Sequence, residues 1–334
     1  MKKILITGGA GFIGSQLGYY LHKKGHDIIL LDNMSYGNID NLEINGKTFG
    51  KFIQDDIRSK NVFDYTKGVD YIYHFAGIAP LPDCQENPKQ AIDVNVSGTA
   101  NILEAARLNG VKRVIFSSTS AVYENHESFP AKESDDVFPD LVYATSKKQS
   151  ELLCKSFLNV YNLPIVILRF FNVYGPHQDF RRKHPPLTGY LMKTFLKNEI
   201  PTLFSDGEQR RDYVYIDDLI KICEIVMTHD KAVGEKFNVS SGNSYSVNEI
   251  YKSVAKCFKV KCKPNYSNPS NFWDAYPHLF KGQYKLDKDR LKKEVLKYCL
   301  GDTEKSQKVL NWEAKTTLDH GIKQCVEHAK TIGL

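Results

Sequence analysis

Residues 3–14 read Lys-Ile-Leu-Ile-Thr-Gly-Gly-Ala-Gly-Phe-Ile-Gly, and this stretch decides the fold. Lys3 to Thr7 is a short apolar run that predicts a strand, and a helical pattern starts at Phe12. Between them stands Gly8-x-x-Gly11-x-x-Gly14. The first glycine permits a tight turn, the second lets the backbone approach a pyrophosphate, and the third lets helix and strand pack closely. Free N–H groups and the helix dipole favour phosphate charge at this point. A second apolar run, Asp27–Leu31, ends in Asp32. A carboxylate there accepts hydrogen bonds from both ribose hydroxyls of an adenosine and repels a 2′-phosphate, so the expected cofactor is NAD and not NADP.

Working outward, strand-like and helix-like segments alternate. Strands are expected at 3–7, 27–32, 51–54, 69–75, 112–117 and 164–170, and helices at 12–24, 88–109 and 144–161. Runs such as Val114-Ile115-Phe116 and Ile165–Leu168 suit strands buried on both faces. The fold class is therefore α/β, a Rossmann-type doubly wound parallel sheet whose ligands bind beyond the carboxyl ends of the strands. After residue 171 the texture changes. Segment 172–188 reads as loop, 264–285 as an ordered loop or insertion, and helices are expected near 187–198, 246–258 and 318–330. This gives an NAD-binding domain of residues 1–171 plus about 212–240. Residues 172–211 plus 241–334 form a smaller, discontinuous substrate domain.

The chain has 334 residues, 42% hydrophobic and 25% charged, which suits a soluble protein with a sizeable core. A net charge of +6 from scattered lysines reads as solvated surface, not as a nucleic-acid footprint, and it suits a phosphorylated small molecule. Seven dispersed cysteines point to reduced thiols in the cytoplasm. Cys257 and Cys262 lack the partners a zinc site needs, so no metal is expected. No apolar run nears the roughly 20 residues that span a membrane, and no signal peptide is expected.

Two motifs carry chemistry. Tyr143 and Lys147 lie four apart on one helical face. A nearby ammonium is expected to lower the phenol's pKa, letting it take a proton from a sugar hydroxyl while hydride leaves the same carbon. Ser117-Ser118-Thr119 follows the strand expected at 112–117, where hydroxyls can reach a substrate.

Taken in order, several motifs resemble the extended short-chain dehydrogenase/reductases of the nucleotide-sugar epimerase/dehydratase family. They are Gly8…Gly14, Leu31–Asn38, Asp56-Ile57-Arg58, His74-Phe75-Ala76-Gly77, Ser117–Thr119, Tyr143-x-x-x-Lys147, Arg169–Pro176, Arg211-Asp212-Tyr213 and Leu310-Asn311-Trp312. The resemblance covers nearly the whole chain. It implies that Gly8, Gly11, Phe12, Ile13, Gly14, Asp32 and Asn33 bind NAD, that Asp56 and Ile57 contact adenine, and that Phe75, Ala76 and Gly77 run along the cofactor. It makes Thr119, Tyr143 and Lys147 catalytic, with Lys147 also on the nicotinamide ribose. Asn172 and Arg211 would hold a nucleotide diphosphate, Cys299 would gate the sugar's 2-substituent, and the helices near 88–109 and 144–161 would form a homodimer.

One departure bears on the reaction. Relatives that eliminate water carry an acid and a base just after the threonine, whereas Ser120 and Ala121 stand here. The expectation is a 4-epimerase acting on a UDP-hexose or UDP-N-acetylhexosamine. A 4-dehydrogenase or 4,6-dehydratase on the same scaffold, and a silent NAD-binding regulator, are the alternatives. Small Cys299 admits an acetamido group, while Val295 replaces the family's usual ribose-holding Asp, which leaves GDP and CDP open beside UDP.

Overall fold

The computed structural model describes residues 1–44, 47–178, 180 and 185–332. Seven strands form one sheet in the order 236–239, 165–170, 113–119, 71–74, 3–7, 27–32, 51–54, and every neighbouring pair is parallel. The order reverses direction between strands 3–7 and 71–74, and a crevice opens at the carboxyl ends there. Strands Tyr71–His74, Arg113–Thr119 and Ile165–Phe170 are buried at every position, because helices cover both faces. The six expected strands all form, within two residues at each end.

The expected helix over 88–109 forms in three pieces. Pro88–Ile92 and Gly98–Leu108 flank a π-helical turn at Asp93–Ser97. The turn lets Asn95 reach out of the helix: its amide brackets Ile78 through N–H and carbonyl, and donates to Ser146 Oγ at 3.0 Å.

The expected 172–188 loop is corrected at its start. Asn172–Tyr174 is a strand, paired in parallel with Arg210–Tyr215, which in turn pairs antiparallel with Ser244–Ser246. Residues 179 and 181–184 of that segment lie outside the described residues. By pairing, Arg210–Tyr215 belongs to this small sheet. The chain returns to the large sheet with helix Ile216–Thr228, which packs on the first helix, and strand Lys236–Val239. Segment 264–285 contains a short strand, Asn265–Ser267, and 3₁₀ turns at Pro269–Ala275 and Pro277–Phe280. We keep the two-domain division as a proposal, with residues 210–215 on the substrate side.

Candidate active site

The glycine turn is built by steric necessity. Gly8 has φ +70°, and a Cβ there would lie 2.9 Å from the Ala76 backbone nitrogen. A Cβ on Gly14 would meet the Gly8 carbonyl oxygen at 2.2 Å, so only glycine lets the first helix start this close to its strand. Thr7 welds the turn to the neighbouring strand end. Its Oγ1 accepts from the N–H groups of Phe75 and Ala76, both at 3.2 Å, and lies 2.8 Å from His74 Nδ1. His74 is fully buried, with Nε2 3.0 Å from Thr99 Oγ1, and Thr99 donates to the Asn95 carbonyl. Burial pushes the imidazole down to about 3, so it stays neutral.

Asp32 sits at the end of its strand, 9% exposed. It accepts from Ala10 N–H at 3.0 Å and Met34 N–H at 2.8 Å. Burial raises its pKa, while these backbone donors and Gly11 pull it down. A cavity of about 610 Å³ runs along the crevice, lined by Gly8, Gly11, Phe12, Ile13, Gly14, Asp32, Asn33, Ile57, Phe75, Ala76, Gly77, Thr119, Tyr143 and Lys147. Of the residues expected at the cofactor, Asp56 alone is not on this wall. Its carboxylate is gripped by Arg58 Nε and Nη2, each at 2.8 Å, and by Asn33 at 2.9 Å, and this holds its pKa at about 2. Asp55 and Arg58 line the cavity instead. Gln90, Val94, Gln178 and Pro186 also line it and were not anticipated from sequence, since no local pattern marks them.

A second cavity, of about 220 Å³, is lined by Asn172, Arg211, Cys299, Ser120, Ala121, Glu124, Glu294 and Lys297, among others. Thr119, Tyr143, Phe170 and Phe171 line both cavities. The catalytic candidates therefore stand on a shared wall. Thr119 ends its strand and caps the next turn, its Oγ1 accepting from Ala121 N–H at 3.1 Å. It also hydrogen-bonds the Tyr143 side chain.

The expected lowering of the Tyr143 pKa is not what the geometry gives. Burial pushes the phenol up to about 12, and the Thr119 hydrogen bond only partly offsets this. Lys147 is not among the groups that offset the rise, and burial pushes its own ammonium down to about 8, which still leaves it cationic at neutral pH. That ammonium lies 4.3 Å from the centre of the Phe116 ring, and Lys147 lines the cavity. One turn further on, Glu151 pairs with fully buried Arg169 at 2.8 Å and accepts from Ser118 Oγ at 2.6 Å, anchoring this helix face to two strands.

In the second cavity Arg211 is partly spent. Nη1 donates to Arg210 O, and Nη2 donates to Glu294 O at 2.9 Å and Val295 O at 3.2 Å. Asn172 donates to the Asp212 carbonyl at 2.9 Å. Cys299 is 3% exposed, with its thiol pushed up by burial, in a small apolar cluster with Tyr123 and Phe171. Among the described residues no His, Cys, Asp and Glu cluster could hold a metal, and no helix is long and apolar enough to cross a membrane.

A tight glycine turn, a carboxylate at the next strand end and a lysine on the wall of the same cavity together fit a dinucleotide. Residues 4–240 match the model of the NAD-dependent epimerase/dehydratase family, and the chain belongs to that family; its cofactor is NAD. The UDP-glucuronate 4-epimerase of Thermodesulfobacterium geofontis is 31% identical, over 99% of this chain and 97% of its own. Among solved structures, the Thermotoga maritima UDP-glucose 4-epimerase with UDP-glucose superposes with a TM-score of 0.87 at 29% identity, covering 99% of both chains. The Methanobrevibacter ruminantium UDP-N-acetylglucosamine 4-epimerase, in complex with UDP-N-acetylmuramic acid, gives 0.87 at 26% identity, also over 99% of both.

Proposed function

We propose that this enzyme inverts C4 of a UDP-hexose or UDP-N-acetylhexosamine through a 4-keto intermediate. The observation that carries the reading is the wall shared by the two cavities: Thr119 and Tyr143 stand between the space for a dinucleotide and the space for a sugar. NAD, when bound, supplies the hydride acceptor for C4 and the source of its return.

The chain's own residues do the rest. Tyr143 would take the proton of the C4 hydroxyl as its phenolate, the form that the positive charges of Lys147 and of a bound nicotinamide would favour over the neutral phenol of the NAD-free site, and would give it back after the sugar has turned over, with Thr119 bridging. Lys147 holds positive charge on the same helix face and binds the nicotinamide ribose. Arg211 keeps two of its five N–H groups for phosphate oxygens. Asn172 stands beside it, and Cys299 leaves room at the sugar's 2-position. Asp32 selects NAD by its charge.

Ser120 and Ala121 offer no carboxyl for elimination, which supports epimerisation over dehydration. A homodimer through helices Gly98–Leu108 and Val142–Tyr161 is part of the proposal, supported by the exposed apolar side chains Leu108, Leu152, Val160 and Tyr161 on them. The test is incubation with UDP-, GDP- and CDP-sugars, following C4 inversion by NMR. Inversion of a UDP-sugar without net NADH release is the expected result. A 4-keto-6-deoxy product or accumulating NADH would overturn the reading.

A further inference from the structure

We infer that Glu124, together with Arg290, is a positioning residue that holds Thr119, Tyr143 and the outer wall of the sugar cavity in one fixed arrangement; this rests on the epimerase reading. Glu124 lies five residues beyond Thr119, just after the turn Ser120–Tyr123, and lines the second cavity. Its side chain is 1% exposed, and a single oxygen, Oε1, has three partners. Two are the backbone N–H groups of Asp140 and Leu141, the latter at 2.8 Å. Leu141 is the N-cap of the helix that carries Tyr143 at its second position. The third is the Arg290 guanidinium, whose Nη2 lies 3.1 Å away as an ion pair without hydrogen-bond geometry, while its Nε donates to Asp140 Oδ2 at 3.3 Å.

Arg290 comes from helix Lys288–Leu296. Its last turn carries Glu294 and Val295, whose carbonyls hold the Arg211 guanidinium, and it leads on to Lys297 and Cys299 in the cavity wall. A small apolar core of Leu141, Trp273, Tyr276 and Leu291 joins the same two parts. One carboxylate thus ties the threonine's turn, the start of the tyrosine's helix and the helix that aims the phosphate-site arginine. Shifting any of these by about 1 Å is enough to cost a large share of the rate.

The test uses full-length Glu124→Ala, Glu124→Gln and Arg290→Met, each first checked for NAD content. Ala removes all three contacts and is expected to lower kcat about 30–100-fold. Gln keeps an oxygen for the two backbone donors, so it is expected to recover at least about tenfold of that loss. Arg290→Met is expected to raise KM about tenfold while NAD binding stays as in the parent, because it loosens Arg211's support. A general loss of folding would move NAD content in all three; a positioning role splits kcat from KM. Glu124→Ala with kcat within twofold of the parent, Gln no better than Ala, or an unchanged KM for Arg290→Met would overturn the inference. If the parent inverts no UDP-sugar, the epimerase reading fails on its own. Calorimetry with UDP alone then still reads the tether: both Glu124→Ala and Arg290→Met are expected to weaken UDP about tenfold, and unchanged UDP affinity would overturn it.

Discussion

Replacing Lys147 by methionine should make the NAD-free protein more stable and nearly inactive at once. Lys147 is 6% exposed, its ammonium lies over the Phe116 ring, and burial takes its pKa from 10.5 to about 8. At roughly 1.4 kcal/mol per pH unit, that fall is a folding penalty of about 3 kcal/mol at pH 7. Methionine matches the length and removes the charge, but forfeits the cation–π contact, about 1–2 kcal/mol. The net expectation is a gain of about 1–3 kcal/mol in the NAD-free state. The sign follows from proton counting. Between pH 8 and 10.5 the unfolded lysine holds a proton that the folded one has lost, so the parent's stability rises with pH across that window, and below pH 8 the penalty is complete. Lys147→Met should lack that slope. Saturating NAD should reverse the order, since the cofactor ribose gives the parent's ammonium a polar partner. Turnover should fall about 100-fold or more. Urea denaturation of stripped protein at pH 7 and pH 10, with and without NAD, reads all of this. A variant less stable than the parent at pH 7, or one with the parent's slope between pH 8 and 10.5, would refute the reasoning.

Other expectations follow from the same geometry. Tyr143→Phe should abolish turnover while NAD stays bound, seen by activity assay and cofactor content. His74 titrates at about 3 folded and near 6.5 unfolded, so stability should fall as pH drops below 6.5, by about 2 kcal/mol at pH 5; His74→Asn should lose that share of the slope in urea melts at pH 7 and 5. Glu151→Gln leaves the Arg169 guanidinium buried without its counter-charge and should destabilise by about 3–5 kcal/mol, measured by urea midpoint. Leu152→Glu with Val160→Glu should convert the proposed dimer to monomer in light scattering.

The sequence was most legible where local chemistry and position coincide. Gly8 and Gly14 have to be glycine for reasons of close approach, and Gly11 leaves little space for a Cβ, so the turn, its strand and its helix could be read directly, and Asp32 came with them. Tyr143 and Lys147 were legible because four residues make one helical turn. What stayed hidden depends on partners far along the chain. Asn95 leaves its helix through a π-helical turn that hydrophobic periodicity does not encode. Nothing near Arg211 announces that the carbonyls of Glu294 and Val295 occupy half its fork. Asp56 sits beside Arg58, and that pair draws its carboxylate off the cavity wall. The Tyr143 pKa went the other way because a four-residue spacing reports one shared helix face but not the burial of the phenol, which dominates its shift.

Because all seven strands run the same way, the sheet has a working rim and an idle one. The idle rim carries the turns that feed the strands; Gly25, Gly68 and Gly110 there have φ of +82°, +68° and +65° and must stay glycine, but exposed neighbours such as Lys67 are open to attachment. An anchor, dye or fused module attached there would sit a full strand length from the reacting carbon. The enzyme therefore comes with a natural handle for immobilisation on a support, its chemistry facing outward.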